Sequence, residues 1–150
     1  MEYKQVKFKK GDLFQSNDDA LAHCVSRDFA MGAGIAKMFK AKFNRVSELK
    51  SQNAKVGGVA YIDTWNRRKA SPQTIFYMVT KERYYEKPTM RSVRSSLLKV
   101  REIMVDMGLK SLSMPMIAAG LDRLLWADVL REIEDIFNYS GIKVTIWVLK

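Results

Sequence analysis

Cysteine and histidine are nearly absent from this 150-residue chain: Cys24 and His23 are the only ones. A single cysteine excludes an internal disulfide and fits a reducing compartment. One histidine and one cysteine cannot assemble a zinc site of ordinary ligand spacing. A serine–histidine–aspartate arrangement would have to run through His23, inside a strand-like run with no nucleophile elbow. Cys24 lies in the same apolar run and reads as a buried structural thiol. No apolar run approaches the roughly 20 residues that span a bilayer, so no membrane association is expected. The start, Tyr3-Lys4-Gln5-Val6-Lys7-Phe8, alternates polar and apolar residues and has no signal-peptide core. No linker, repeat or low-complexity stretch divides the chain, and one domain is expected over 1–150.

Positive charge is what the chain has in surplus. Lysine and arginine number 26 against 16 acidic residues, a net charge of +10. The basic groups at Lys7 to Lys10, Arg67 to Lys69 and Lys81 to Arg83 are short, and no aromatic–basic repeat of a nucleic-acid module accompanies them. A solvated basic surface accounts for most of these residues. Salt-dependent attraction to polyanions is compatible with it.

Strand-like runs lie near Tyr3 to Lys9, Ala20 to Ser26, Val59 to Thr64, Thr74 to Thr80, Ser111 to Met114 and Lys143 to Leu149. The clearest helix is Met90 to Met107, where Met90, Val93, Leu97, Val100, Met104 and Met107 recur at three- and four-residue steps. Thr89 is its expected N-cap and Gly108 its stop. A second amphipathic helix follows Trp126, with Val129, Leu130, Ile133, Ile136 and Phe137 on one side. Strands alternating with helices predict an α/β fold, a mostly parallel six-stranded sheet covered on both faces. Ligands gather at the carboxyl ends of strands in such folds.

Two turns stand at those ends. Met31-Gly32-Ala33-Gly34-Ile35-Ala36 follows the second strand and opens into a helix expected to start near Ile35, with Ile35, Phe39 and Phe43 on one face. Glycines there let the main chain approach a ligand closely, and a helix N-terminus favours phosphate. Lys37 stands where a dinucleotide fingerprint has its third glycine, and the Gly-Lys-Ser/Thr ending of an NTPase loop is missing. By itself the turn reads more readily as an ordinary strand-to-helix connection than as a ligand site. A second small-residue turn runs from Pro115 through Met116, Ile117, Ala118, Ala119, Gly120 and Leu121 to Asp122. Two such turns side by side suit a pyrophosphate, with Lys81 and Asp122 at the rim.

With Gly11-Asp12-Leu13-Phe14, Leu21-Ala22-His23-Cys24-Val25-Ser26, Thr80-Lys81, Lys87-Pro88-Thr89, Leu112-Ser113-Met114-Pro115 and Gly120-Leu121-Asp122-Arg123-Leu124, these turns make the chain resemble the macrodomain family. Within that family it is similar to the terminal ADP-ribose protein glycohydrolases, also called O-acyl-ADP-ribose deacylases. The resemblance covers nearly the whole chain. It implies a three-layer α/β/α fold around a mixed sheet and a cleft for ADP-ribose.

Carried over by motif, Asp12 and Leu13 would lie at the adenine end. Gly32, Ala33, Gly34, Ile35 and Ala36 would line the distal ribose and diphosphate. Met116, Ile117, Ala118, Ala119, Gly120 and Leu121 would form the second phosphate loop, and Ser26 and Thr80 would also contact the ligand. Trp147 and Leu149 match the strand beside the adenine, although Trp147 reads equally well as core.

The resemblance implies that Lys81 is a nucleophile and Asp122 its acid/base partner. The lysine amine would attack the anomeric carbon of the distal ribose, displacing the carboxylate of a modified glutamate or aspartate, or a small acyl group. Only a neutral amine attacks, and a lysine at its reference pKa of ~10.4 is neutral in about one molecule in 2,500 at pH 7. Proton transfer is therefore the expected work of Asp122. No metal or other cofactor is implied.

The second loop departs from the family pattern. Ala118 stands where a glycine is usual and Met116 where an arginine is usual, so weaker substrate binding is expected. The implied partners are ADP-ribose, O-acyl-ADP-ribose and ADP-ribosylated proteins, met by a monomer in the nucleus, the cytoplasm or both. Two alternatives stay open: a non-catalytic reader of ADP-ribose, and a nucleic-acid binder suggested by the charge alone.

Overall fold

The computed structural model describes residues 5–118 and 124–149. Six strands form one mixed sheet: β1 (Val6–Lys10), β2 (Ala20–Ser26), β3 (Val59–Asn66), β4 (Ser71–Lys81), β5 (Ser111–Pro115) and β6 (Lys143–Val148). Four α-helices connect them: α1 (Gly34–Phe43), α2 (Val46–Ser51), α3 (Met90–Met107) and α4 (Trp126–Phe137). A short 3-10 helix, Leu13–Gln15, follows β1. The strand order is β1-β6-β5-β2-β4-β3. All neighbours pair in parallel except β3, which is antiparallel to β4.

The period-2 alternation of the strands sorts their side chains onto two cores. Ala20, Ala22, Phe76, Met78, Leu112, Met114, Val144 and Ile146 face α3 and α4. Leu21, Val25, Ile75, Tyr77 and Val79 face Leu13, Phe39 of α1 and Leu49 of α2. The result is the three-layer α/β/α arrangement that the sequence predicts. Helix α3 buries Val93, Leu97, Val100 and Met104 completely, each burial contributing roughly 1.5–3 kcal/mol. Thr89 and Ser92 form a reciprocal capping box at its start. Gly108, at φ +72, stops it. No helix among the described residues is long and apolar enough to cross a membrane.

Several boundaries differ from the sequence reading. Strands β3 and β4 run two residues further at Asn66 and three earlier at Ser71, because hairpin pairing continues to Asn66↔Ser71. Helix α1 begins at Gly34, one residue before Ile35, and Asn44 at φ +43 ends it. Helix α2 was not expected, since six residues are too few to show a helical period. Cys24 is half-buried rather than fully buried, near the end of β2 and packed against the margin of the α3/α4-side core.

Candidate active site

The parallel strands β1, β6, β5, β2 and β4 all end on one rim, which collects most of the predicted site residues. Strands β5 and β2 pair only at Ala20↔Leu112 and Leu21↔Ser113, although β2 continues to Ser26 and β5 to Pro115. Beyond those pairs the two strands part, with the turn after β2 on one side and the described start of the turn after β5, Met116 to Ala118, on the other. This is the crevice expected at the carboxyl ends of an open parallel sheet.

On one side lies the turn after β2. Gly32, Ala33 and Gly34 are exposed, while Ile35 and Ala36 are half-buried against the α1-side core. The N-cap of α1 is Ala33, whose side chain accepts nothing, and no acidic residue occupies the first turn. The first N–H groups of α1 thus lack a side-chain cap, the arrangement that suits an anion. Gly34 has φ +59, open to glycine without strain. Ser26 is buried and its hydroxyl donates to Asp28.

Asp28 organises this loop. Its carboxylate accepts from Ser26 Oγ, from Ala30 N at 3.1 Å and from Tyr84 N at 3.3 Å. Burial pushes the carboxyl up, but these hydrogen bonds, with Lys50 nearby, outweigh it and hold Asp28 below its ordinary range. Phe29 and Met31, both buried, take φ values of +52 and +45. Bulky residues rarely adopt that region, so the loop stores strain that the Asp28 bonds and the buried Phe29 and Met31 side chains counterbalance. Sequence reasoning missed Asp28; the signal was the aspartate two residues before Ala30, the spacing of an Asx turn.

Lys81 ends β4 and is the Cα partner of Ser26 across the β2–β4 pairing, at a register shift. Its carbonyl accepts the N–H of Arg27 at 2.8 Å. Thr80 is buried on the opposite sheet face; its carbonyl accepts Ser92 Oγ at 2.7 Å, and its own Oγ1 has no partner among the described residues. The structure therefore brings Lys81 beside the Ser26 end of the β2 turn. Asp122, Ala119, Gly120 and Leu121 lie outside the described residues.

The start of the second loop is visible. Met116 is exposed, whereas Ile117 and Ala118 are buried in the α3/α4-side core. Ala118 has φ +58, and its carbonyl accepts Leu124 N at 3.1 Å. The backbone here asks for a glycine, and the alanine carries a Cβ in a region that costs L-residues roughly 1–2 kcal/mol.

At the far end of the rim, Asp12 caps the 3-10 helix, with Oδ1 accepting Phe14 N at 2.9 Å, and Leu13 is buried. Leu149 is exposed. Trp147 lies at the bottom of this end, with Nε1 donating to Ser113 Oγ at 2.9 Å and Lys9 Nζ 5.0 Å from its ring. Ser113 donates its one hydroxyl proton to Asp18 Oδ2 at 2.5 Å, so Ser16 Oγ, 2.7 Å away, must donate to it. Among the described residues no group of three or more histidine, cysteine or acidic residues could hold a metal. His23 is fully buried and stacked on Phe39, with ring centroids 3.8 Å apart.

No protein-family model matches the chain. Curated relatives do. The chain is 42% identical over 149 residues to a human protein named ADP-ribose glycohydrolase OARD1, covering 99% of this chain and 94% of that one. A Thermus aquaticus protein named DNA ADP-ribosyl glycohydrolase is 25% identical over 146 residues, covering 95% of this chain and 41% of that one. Among solved structures, the macrodomain of Mycobacterium tuberculosis DarG superimposes with a TM-score of 0.85 at 20% identity, covering 96% and 97% of the two chains. A Thermosipho africanus DarTG complex with ADP-ribose gives 0.81 at 21% identity, over 97% of this chain and 42% of that one. With a relative this similar over its full length and a fold shared with these structures, the chain belongs to the macrodomain family.

Proposed function

We propose that this protein is an ADP-ribose hydrolase that frees ADP-ribose from esters on glutamate and aspartate side chains and deacylates O-acyl-ADP-ribose. The observation that carries the reading is the meeting of Lys81 with the Ser26 end of β2, beside an uncapped helix N-terminus in an opening of the sheet. The relatives' names, glycohydrolases of ADP-ribose, support the same substrate.

In this reading the N–H groups at the start of α1 hold the diphosphate, and the exposed Gly32 to Gly34 backbone admits the distal ribose. Lys81 Nζ attacks the anomeric carbon as a neutral amine. The bond from that carbon to the ester oxygen breaks, and its electron pair leaves with the carboxylate. Asp122 takes the proton from the alkylated nitrogen. It then returns a proton to that nitrogen and accepts one from the water that adds to the sugar carbon, so that the lysine leaves as a neutral amine. The products are ADP-ribose, the free acid and regenerated Lys81.

The test is release of ADP-ribose from a glutamate-automodified ADP-ribosyltransferase by wild type, Lys81→Ala and Asp122→Ala. Turnover by wild type and loss in both variants, with ADP-ribose binding retained, is the expected result. Full turnover by Lys81→Ala would overturn the mechanism. The strained Ala118 favours one second reading, a reader that binds ADP-ribose without turnover; binding with no wild-type release would establish it.

A further inference from the structure

The strand order gives the rim a direction, from β1 through β6, β5 and β2 to β4. If the nucleotide begins near Asp12 and its distal ribose ends at Lys81, the group bonded to that ribose departs over the β4–α3 connection, residues 82–89. That connection carries two adjacent tyrosines, Tyr84 and Tyr85, 64% and 69% exposed, with rings edge to face at 5.4 Å. A pair of aromatic rings left in water is unsatisfied apolar surface.

The connection is pinned at both ends. Tyr84 N donates to Asp28 Oδ2, and Arg27 pairs with Glu82 at 3.4 Å. Glu86 N donates to Arg83 O at 3.0 Å, and Arg83 N to Glu86 Oε1 at 2.7 Å, closing a turn around the two rings. At the far end the Thr89–Ser92 capping box is tied to the Thr80 carbonyl through Ser92 Oγ. A surface already ordered in this way loses little freedom when it binds.

Its charge is one-sided. Both carboxylates of the connection are engaged, Glu82 by Arg27 and Glu86 by the Arg83 main chain. Arg83, Lys87 and Arg91 form no ion pair among the described residues.

We propose that the Tyr84–Tyr85 connection is the docking surface for the acceptor polypeptide, an acidic segment flanking the modified residue. The proposal rests on the hydrolase reading above, in which the leaving group is a side-chain carboxylate and therefore drags a polypeptide with it. Tyrosine offers broad, stiff contact to peptide planes and side-chain stems, while Arg83, Lys87 and Arg91 meet neighbouring carboxylates. The rings stand at 90° to one another, unlike the succession of stacking faces that a single-stranded nucleic acid uses. A small acyl group on ADP-ribose is too short to reach this surface, so it separates protein-linked esters from O-acyl-ADP-ribose.

The test measures dissociation constants in a Lys81→Ala background, where turnover does not interfere. The probes are free ADP-ribose, glutamate-ADP-ribosylated peptides with acidic or neutral flanks, and an unmodified oligothymidylate. The acidic peptide is expected to bind about tenfold tighter than free ADP-ribose. The double variant Tyr84→Ala/Tyr85→Ala, and separately Lys87→Glu, should abolish that gain and leave free ADP-ribose binding unchanged. Equal binding of peptide and ADP-ribose, or equal weakening of both by the variants, would overturn the proposal. Oligothymidylate binding lost in the same variants, without a peptide gain, would reassign the surface to nucleic acid. A peptide gain without wild-type turnover would sink the hydrolase reading and leave the docking surface standing.

Discussion

The N–H of Arg27 donates to the carbonyl of Lys81 at 2.8 Å, fastening the loop after β2 to the end of β4. Asp28 adds a second fastening through Tyr84 N. The candidate phosphate turn and the candidate nucleophile are thereby held in one piece, although 54 residues of sequence separate Arg27 from Lys81.

Asp28→Ala removes the acceptor for three donors in this piece, while Asp28→Asn keeps the shape and loses the charge. The alanine variant is expected to lower kcat/KM for ADP-ribose release by at least tenfold, mainly through kcat, with a stability loss of only about 1 kcal/mol at so exposed a site. Partial rescue by asparagine distinguishes positioning from unfolding. The pH dependence has a definite sign. The folded-state pKa of Asp28 is depressed, so its contribution is complete above the unfolded carboxyl pKa and disappears as pH falls through the lower folded value. Denaturation of wild type and Asp28→Asn from pH 6 to pH 3 should converge on the acid side.

His23 gives a larger effect of the opposite origin. Complete burial lowers its pKa to about 3; the Cys24 backbone opposes the shift, but neither ring nitrogen makes a hydrogen bond of normal geometry. The folded protein keeps the ring neutral while the unfolded chain protonates it below pH 6.5, so stability falls as pH drops toward 3. Between pH 6.5 and pH 5 the loss from this group is about 2 kcal/mol. His23→Phe, which retains the stack on Phe39, should flatten that part of the pH–stability curve. An unchanged slope in urea titrations would refute the assignment.

Ala118→Gly tests the strained second loop. Relief of the left-handed alanine, ~1 kcal/mol, is offset by the loss of a buried methyl, ~0.8 kcal/mol. Tm should therefore stay within a degree or two while calorimetric affinity for ADP-ribose rises several-fold. An affinity change below twofold would show that the loop already has its binding geometry.

Ser113→Ala strips partners from Trp147 Nε1, Ser16 Oγ and Asp18 at one stroke. A cost of about 2–3 kcal/mol is expected from the buried groups left unsatisfied. Trp147→Phe, which removes the indole donor and part of a buried ring, should cost about 2 kcal/mol. If Trp147 also supports the adenine end, ADP-ribose affinity falls in that variant, whereas for a purely core residue only the denaturation midpoint moves.

The periodicity of Met90 to Met107, the strand runs and the two small-residue turns were legible in the sequence because local spacing alone dictates which side of an element is apolar. Thr89 and Gly108 marked the ends of α3 because capping chemistry is local too. The Lys81 motif was legible through its resemblance to a family. Helix α2, the hairpin extension to Asn66 and Ser71, and the half-exposure of Cys24 were not, since each depends on what the element packs against. Nor could spacing reveal that Asp28 reaches Tyr84, or that Ala118 would be forced to φ +58. The sequence by itself determined the layers of the fold and the residue types at the rim, whose rules act over a few positions. Only the tertiary structure decided which strands part to open the crevice and which loops are fastened together, because hydrogen bonds between distant segments exist only after the chain has closed on itself.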